Sequence, residues 1–373
     1  MTTTVSNIKQ TGASLSASYT EASSEPAEVG FRYGTSSSSL TKNITCSNYN
    51  GTASAFGADV TDLTAGTEYY VQAYVQVSGQ TFTGAVTSFK TESVQVSAVS
   101  GKSWLELPGV SGKQDYVGTL YDGSARNYTY NYDKETYTSL WIAYPLATAD
   151  MSGNGGSDSW KKVSSGIPES AQIDLSSSYC VNDDSITPEG YDSDKEYYSR
   201  GHQVPKADRK KSSTLYNQTF YSINSTPQIQ NGFNGSIWNT LEGVIRNAVP
   251  ANDTLYIVTG AAFQKRGEPE MSVKKIYPQE EYKAGSQKWC PVPNFYWKVV
   301  LKVKRDSNRN VTSASAIGYW MPHEDLRGKD YLDYTVSVNQ IEEWTGFDFF
   351  VNLPDAVEAT AETNSNWTAF QNF

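Results

Sequence analysis

EYYSRGHQVPKADRKK, residues 196–211, contains one of only two histidines in a chain of 373 residues, and its reading organises everything around it. Residues 181–197 carry six acids, Asp183, Asp184, Glu189, Asp192, Asp194 and Glu196, against Lys195 alone, whereas residues 200–211 carry five bases and only Asp208. The charge changes sign at His202, in a chain of formal net charge −10. A charge run by itself is most often a solvated face laced with salt bridges. Phosphate binding, however, relies on Lys and Arg displacing counterions. An acidic chain of pI near 4.9 therefore excludes whole-surface attraction to nucleic acid and leaves this basic run as the local place for it.

Working outward, the length suggests two folded units. Upstream, residues 4–92 alternate polar and apolar residues in short runs broken by Gly, Ser and Thr, as in EVGFRYG (28–34), which is a strand pattern and predicts an all-β sandwich. Residues 93–113 read as a linker. Beyond it, NYTYNYDKETYTSLWIAYPL (127–146) suggests a strand pair, and DTLYIVTGAAF (253–263) and FYWKVVLKV (295–303) are continuous runs suited to buried strands. NGSIWNTLEGVIRNAV (234–249) is the clearest helix, with Ile237, Leu241, Val244, Ile245 and Ala248 on one face and Asn234 at the N-cap position. Glu242 then falls on the flank of the apolar stripe and Arg246 one turn on, towards the polar side. The second unit is a mixed α+β domain, and residues 357–373 read as a C-terminal tail.

No GxSxG, HExxH, Walker A or GxGxxG sequence is present. Cys46, Cys180 and Cys290 show no CxxC spacing, which argues against a zinc site or a thioredoxin-type pair and leaves a Cys180–Cys290 disulfide open. What remains is Arg200, Gly201, His202, Asn224, Asn234, Glu242 and Arg246, a set spanning 47 residues. A neutral Asn amide oxygen with water and substrate phosphate is an acceptable Mg²⁺ site, and Asn234 fits it. Imidazole titrates near neutrality, so His202 suits a general base. Glu242 could orient hydrating waters, while Arg200 and Arg246 could neutralise phosphate. His323, in MPHEDL, has no such company and reads as surface or packing.

These residues carry two resemblances. SRGHQVP (199–205), INSTPQ (223–228) and FNGSIWNTLE (233–242) closely resemble the DRGH-type motif and its downstream partner in the DNA/RNA non-specific endonucleases, the ββα-metal (His-Me finger), Serratia nuclease-like family. Later blocks agree in order, and the likeness covers residues 114–356. It implies an α+β domain with a central antiparallel sheet, His202 as general base and Asn234 as direct ligand of hydrated Mg²⁺, with Mn²⁺ the alternative. It also implies Glu242 acting on the metal through water, Asn224 beside the histidine positioning it or the substrate, and Arg200 and Arg246 facing phosphate. The implied reaction is sequence-non-specific hydrolysis of DNA and RNA to 5′-phosphate ends. The chain departs from the family in having Ser199 where Asp is usual, and in lacking an obvious upstream arginine near GSDSWKKVSS (156–165), where Lys161 or Lys162 could substitute. Those departures motivate a competing expectation, a weak or inactive nucleic-acid or surface-binding protein on the same fold, with a phosphatase as a third. Separately, DLTAGTEYYVQAYV (62–75) resembles the fibronectin type III (immunoglobulin-like) pattern, with Tyr69 as its corner tyrosine. That module could bind a surface, glycan or protein ligand.

No run approaches the roughly 18–20 apolar residues of a membrane span. The polar start MTTTVSNIKQ (1–10) has no signal-peptide core, so the chain reads as cytosolic or as a mature portion whose leader was trimmed. A broad nuclease joined to such a module favours secretion, the periplasm or the cell surface.

Overall fold

The computed structural model describes residues 1–9, 11–20, 26–47, 49, 54–64, 67–91, 99, 101–179, 198–286 and 288–373. The acidic run at 181–197 and Cys180, and with it the Cys180–Cys290 pairing, lie outside the described residues. Two compact units divide between Gln95 and Val96.

In the first unit the strands are β1 (Thr2–Ser6), β2 (Ala13–Ser18), β3 (Glu28–Gly34), β4 (Lys42–Thr45), β5 (Ala55–Val60), β6 (Glu68–Val77), β7 (Gln80–Thr83) and β8 (Thr87–Lys90). They form a three-stranded sheet, β1-β2-β5, and a five-stranded one, β4-β3-β6-β7 with β8 also on β6. Every second residue of β6, Tyr69, Val71, Ala73, Val75 and Val77, is buried, the signature of a strand with one face on a core. Leu15 and Phe56 from one sheet meet Phe31 and Val71 from the other in that core. The Tyr69 hydroxyl accepts a hydrogen bond from the Thr64 backbone N–H at 3.0 Å, pinning the turn that enters β6.

The second unit contains β9 (Tyr116–Asp122), β10 (Ala125–Asp133), β11 (Thr138–Ala147), β12 (Tyr198–His202), α1 (Ser213–Gln218), β13 (Ser225–Ile229), α2 (Asn239–Asn247), β14 (Thr254–Ala262), β15 (Lys275–Ile276), α3 (Gln279–Lys283), β16 (Cys290–Pro291), β17 (Phe295–Arg305), β18 (Val311–Pro322), β19 (Thr335–Val336), α4 (Val338–Thr345), α5 (Asp355–Ala361) and α6 (Trp367–Gln371). Its centre is a seven-stranded sheet, β19-β18-β17-β14-β11-β10-β9, antiparallel at every pairing. Apolar runs such as FYWKVVLKV are continuous because both faces of this sheet are covered. Tyr296 and Val300 of β17 join a core with Trp238, Leu241 and Ile245, while Trp297, Val299 and Leu301 join a second with Phe349, Phe350 and Leu353. The candidate site is built on the first of these faces.

Three expectations change. The linker expected at 93–113 is part of the second unit where it is described. Leu105 and Leu107 are buried in the second core, and Glu106 pairs with Arg126 at 2.6 Å. Nor is 357–373 a free tail, since Trp367 and Phe370 of α6 are buried in the first core. The helix expected from Asn234 begins later, because residues Gln230–Trp238 form a wide kinked turn with non-helical backbone at Asn231, Gly232 and Ser236. Gly232 has φ +109° and a Cβ there would strike the Asp325 carboxylate at 2.3 Å. Asn234 therefore sits inside the kink and is not an N-cap; Trp238 occupies that position for α2 and makes no side-chain cap.

Around α4 and α5, burial and mutual repulsion raise the carboxyls of Glu342, Glu358 and Glu362, with Glu358 at about 8 against an ordinary 4.5. A raised folded-state pKa gives stability that is full below pH 4.5 and is lost as pH rises through the folded value. The melting temperature should therefore fall from pH 5 to pH 9, and Glu362→Gln should flatten that fall in a thermal-melt series; an unchanged slope would contradict the burial argument.

Candidate active site

The motif strand β12 pairs antiparallel with β13, setting Ser199 opposite Gln228, Gly201 opposite Thr226 and His202 opposite Ser225. Gly201 lets the Gln228 side chain lie across the strand, where a Cβ would come within 2.2 Å of it and make it move. The His202 ring is boxed between Trp160 and Phe220, each at 4.8 Å between centroids. Its Nε2 is shielded from solvent and has no hydrogen-bond partner among the described residues. Burial first, then the positive charges of Lys206 and Arg200, push the imidazole down to about 3, with Asp158 opposing. Burial thus favours the neutral imidazole, and its Nε2 is left without a partner among the described residues.

Asn224 does not reach towards a substrate. Its Oδ1 accepts from Val204 N at 2.9 Å, and its Nδ2 donates to the carbonyls of Val204 at 3.0 Å and Thr219 at 2.8 Å. Of the two roles open to it, the geometry supports positioning, since this fully buried amide clamps the chain two residues past His202. Arg200 donates from Nη1 to the carbonyls of Leu175 at 2.7 Å and Ser176 at 3.0 Å, and its guanidinium lies 5.4 Å from the Trp160 ring centroid.

Asn234 donates from Nδ2 to Ser199 Oγ at 2.9 Å and to Gln230 Oε1 at 3.1 Å. Both bonds fix the carboxamide by its nitrogen, which leaves Oδ1, the atom a hard cation takes, outside them. Ser199 therefore keeps an acceptor at the position where the family usually has Asp. Among the described residues no group of three or more His, Cys, Asp or Glu side chains could hold a metal. The available donor, one neutral amide oxygen, fits an ion such as Mg²⁺ that keeps most of its waters, and does not fit a structural zinc.

Glu242, on the flank of the apolar stripe, has a side chain only 13% exposed. Burial raises its carboxyl pKa, while Lys298 and Arg246 lower it and Asp208 raises it. Arg246 pairs through Nη1 with Asp208 at 3.0 Å and lies 3.9 Å from Glu242. Lys298, on β17, is fully enclosed; its Nζ donates to the Gln203 carbonyl at 3.2 Å and to Thr259 Oγ1 at 3.0 Å. This buried lysine ties the residue after His202 to the central sheet and faces Glu242.

The basic run is less of a docking face than its sequence suggests. Arg209 is buried, with Nε on Asn127 Oδ1 at 2.7 Å and Nη2 on the Pro145 carbonyl at 2.9 Å, while Lys206, Lys210 and Lys211 are exposed. Neither upstream lysine is seen at His202, since Lys161 lies over the Tyr221 ring and Lys162 faces Glu169. The sequence reading gave no site role to Trp160, Phe220, Asp158, Lys206 or Lys298, although all but Phe220 stood in stretches already singled out. His323 proves to be packing: its Nε2 accepts from Ile229 N at 2.8 Å and its Nδ1 meets the Pro293 carbonyl at 2.7 Å. Cys290 is buried, and burial pushes its thiol far up.

The comparisons with known proteins give the family of the second unit. A family model described as DNA/RNA non-specific endonuclease matches residues 111–356, and the chain belongs to that family. It is 26% identical over 246 residues to the mitochondrial nuclease of Saccharomyces cerevisiae, covering 65% of this chain and 69% of that protein. Over 244 residues it is 25% identical to the nuclease of Serratia marcescens, covering 63% and 77%. The match to mitochondrial nuclease 1 of Schizosaccharomyces pombe is 30% identical over 162 residues, 42% of this chain, and spans 47% of that relative's length. Among the described residues no helix is long and apolar enough to cross a membrane.

Two outcomes test this geometry. Replacing Asn224 by Ala orphans Val204 N–H and two carbonyls, so denaturant titration should show a loss of about 3 kcal/mol, as expected for buried groups left unpaired. Both histidines are held at about 3, against 6.5 unfolded. Each then contributes stability that is lost as pH falls from 6.5 towards 3, at about 1.4 kcal/mol per pH unit. In denaturation curves over that window, wild type minus His323→Gln should differ in slope by about one proton.

Proposed function

We propose that the second unit is a Mg²⁺-dependent, sugar-non-specific endonuclease that hydrolyses phosphodiester bonds of DNA and RNA to 5′-phosphate products. The observation that carries the reading is a neutral His202 whose shielded Nε2 is unpartnered, on the same short strand whose Ser199 orients Asn234. His202 Nε2 takes the proton from the attacking water. Asn234 Oδ1 would hold the cation, Mg²⁺ or Mn²⁺, and Glu242 would orient its hydrating waters. When bound, the cation would supply charge neutralisation at the phosphoryl oxygens and the leaving 3′ oxygen. Trp160 and Phe220 flank the imidazole, and the partial desolvation they cause favours its unprotonated form at neutral pH. Arg246 compensates the charge of Asp208 and Glu242, and Arg200 fixes the strand against Leu175 and Ser176; both are read as the cations that face phosphate. Backbone contacts carry no direct base information, so sequence preference should be weak.

The first unit is read as a fibronectin type III-like spacer or surface-binding module. Its two antiparallel sheets and the Tyr69 hydroxyl on Thr64 N–H support this, since a tyrosine tied to the backbone a few residues upstream marks such sandwiches. Export is the setting that suits a broad nuclease.

Plasmid DNA and RNA should both be cut with Mg²⁺, and EDTA should stop it. His202→Ala should lower turnover by at least about 10²-fold, the scale of general-base catalysis, while leaving the thermal unfolding transition in place. Equal cleavage by that variant would refute the assignment, and binding without cleavage under any divalent metal would favour a non-catalytic protein.

A further inference from the structure

One exposed cation at the histidine box has no role in the site as described so far. Lys206 lies four residues past His202, and its side chain is 46% exposed, held by an ion pair to Asp158 Oδ2 at 2.5 Å. Its Nζ stands 5.7 Å from the ring centroid of Phe220, the same ring that meets His202 edge-on at 4.8 Å. Asp158 is itself held: Tyr216 Oη donates to its Oδ1 at 2.6 Å. The segment carrying it is docked as well. Gly155 has φ +70° and a Cβ there would lie 2.6 Å from the Tyr216 ring, and Ser157 N donates to Asn217 Oδ1 at 2.7 Å. Lys206 is thus an ammonium placed beside the base, and still open to solvent on one side.

We propose that Lys206 is the phosphate-binding cation at the His202 end of the site, with Asp158 as its positioning residue. The inference rests on the nuclease reading above. It gives a source for the positive charge that GSDSWKKVSS lacks as arginine: this stretch contributes the aspartate, and the cation comes from the loop after the motif strand. An ammonium is a point charge without a bidentate fork, so the contact is electrostatic, to a non-bridging phosphate oxygen, and carries no base preference.

The assay uses the full chain carrying His202→Ala, with a fluorescein-labelled double-stranded oligonucleotide and anisotropy read across a salt series. Adding Lys206→Ala should weaken binding about tenfold at low salt and reduce the slope of log K against log [salt] by about 0.9, one phosphate contact on duplex DNA. With His202 intact, Lys206→Ala should raise KM and Lys206→Arg should restore most of it, which guards against a folding defect. Asp158→Asn, which frees the ammonium, should tighten oligonucleotide binding while lowering kcat; no change in either overturns the positioning role. An unchanged slope with Lys206→Ala, or no oligonucleotide binding by the parent protein, overturns the proposal. Wild-type cleavage by His202→Ala would instead strike the underlying nuclease reading, and the binding comparison, run in EDTA so that the oligonucleotide stays intact, is read separately.

Discussion

A five-residue strand, Tyr198–His202, pairs with Ser225–Ile229, and the rest of the second unit's chemistry depends on that register. Two strands alone are marginal in water, so the pair needs anchoring from elsewhere. His323 accepts from Ile229 N at one end, Lys298 donates to the Gln203 carbonyl at the other, and Asn224 clamps Val204 just beyond. A slip of one residue would turn every side chain to the opposite face. It would take His202 out of its aromatic box and Ser199 away from Asn234.

Electrostatics within the unit are arranged by burial more than by surface charge. Isolated buried charges are costly unless paired. Accordingly Glu242, Asp208, Arg246 and Lys298 sit within mutual influence, and Arg209 donates to Asn127, Asp208 and Pro145. His202 meets the opposite treatment: enclosed by two rings and next to cations, it loses its proton and keeps its lone pair. One sheet face therefore supports a compensated ion cluster and a neutral base within a few residues of each other, through Gln203, whose carbonyl takes the Lys298 ammonium. The chain's overall acidity has little bearing on either.

Local pattern was enough for the strand-rich first unit, for the β10–β11 pair, for the buried runs of β14 and β17, and for the apolar face of α2 with Leu241 and Ile245 at its centre. Period-two and period-3.6 spacing are set by the backbone, and the residues that display them are neighbours in the chain. Asn234 and Glu242 were picked out as types at a spacing, but their surroundings were not legible. Asn234 was misplaced as a cap because the chain kinks around it, at a Gly232 packed so close to Asp325, 93 positions away by number, that no side chain would fit. Glu242 was read on the flank of the apolar stripe, and the Lys298 that influences it lies 56 positions further along the chain.

What the sequence by itself determined is the order of elements and the chemical types at the motif positions: an imidazole after Arg-Gly, a carboxamide and a carboxylate eight residues apart. Only the tertiary structure decided which are enclosed, which are paired and which are left with an unused lone pair. It buried Arg209 while leaving Lys206 outside, and gave His202 its box of Trp160 and Phe220. Desolvation and ion pairing depend on what surrounds a group in space, and here those surroundings come from segments as far apart as Gln203 and Lys298, 95 residues along the chain.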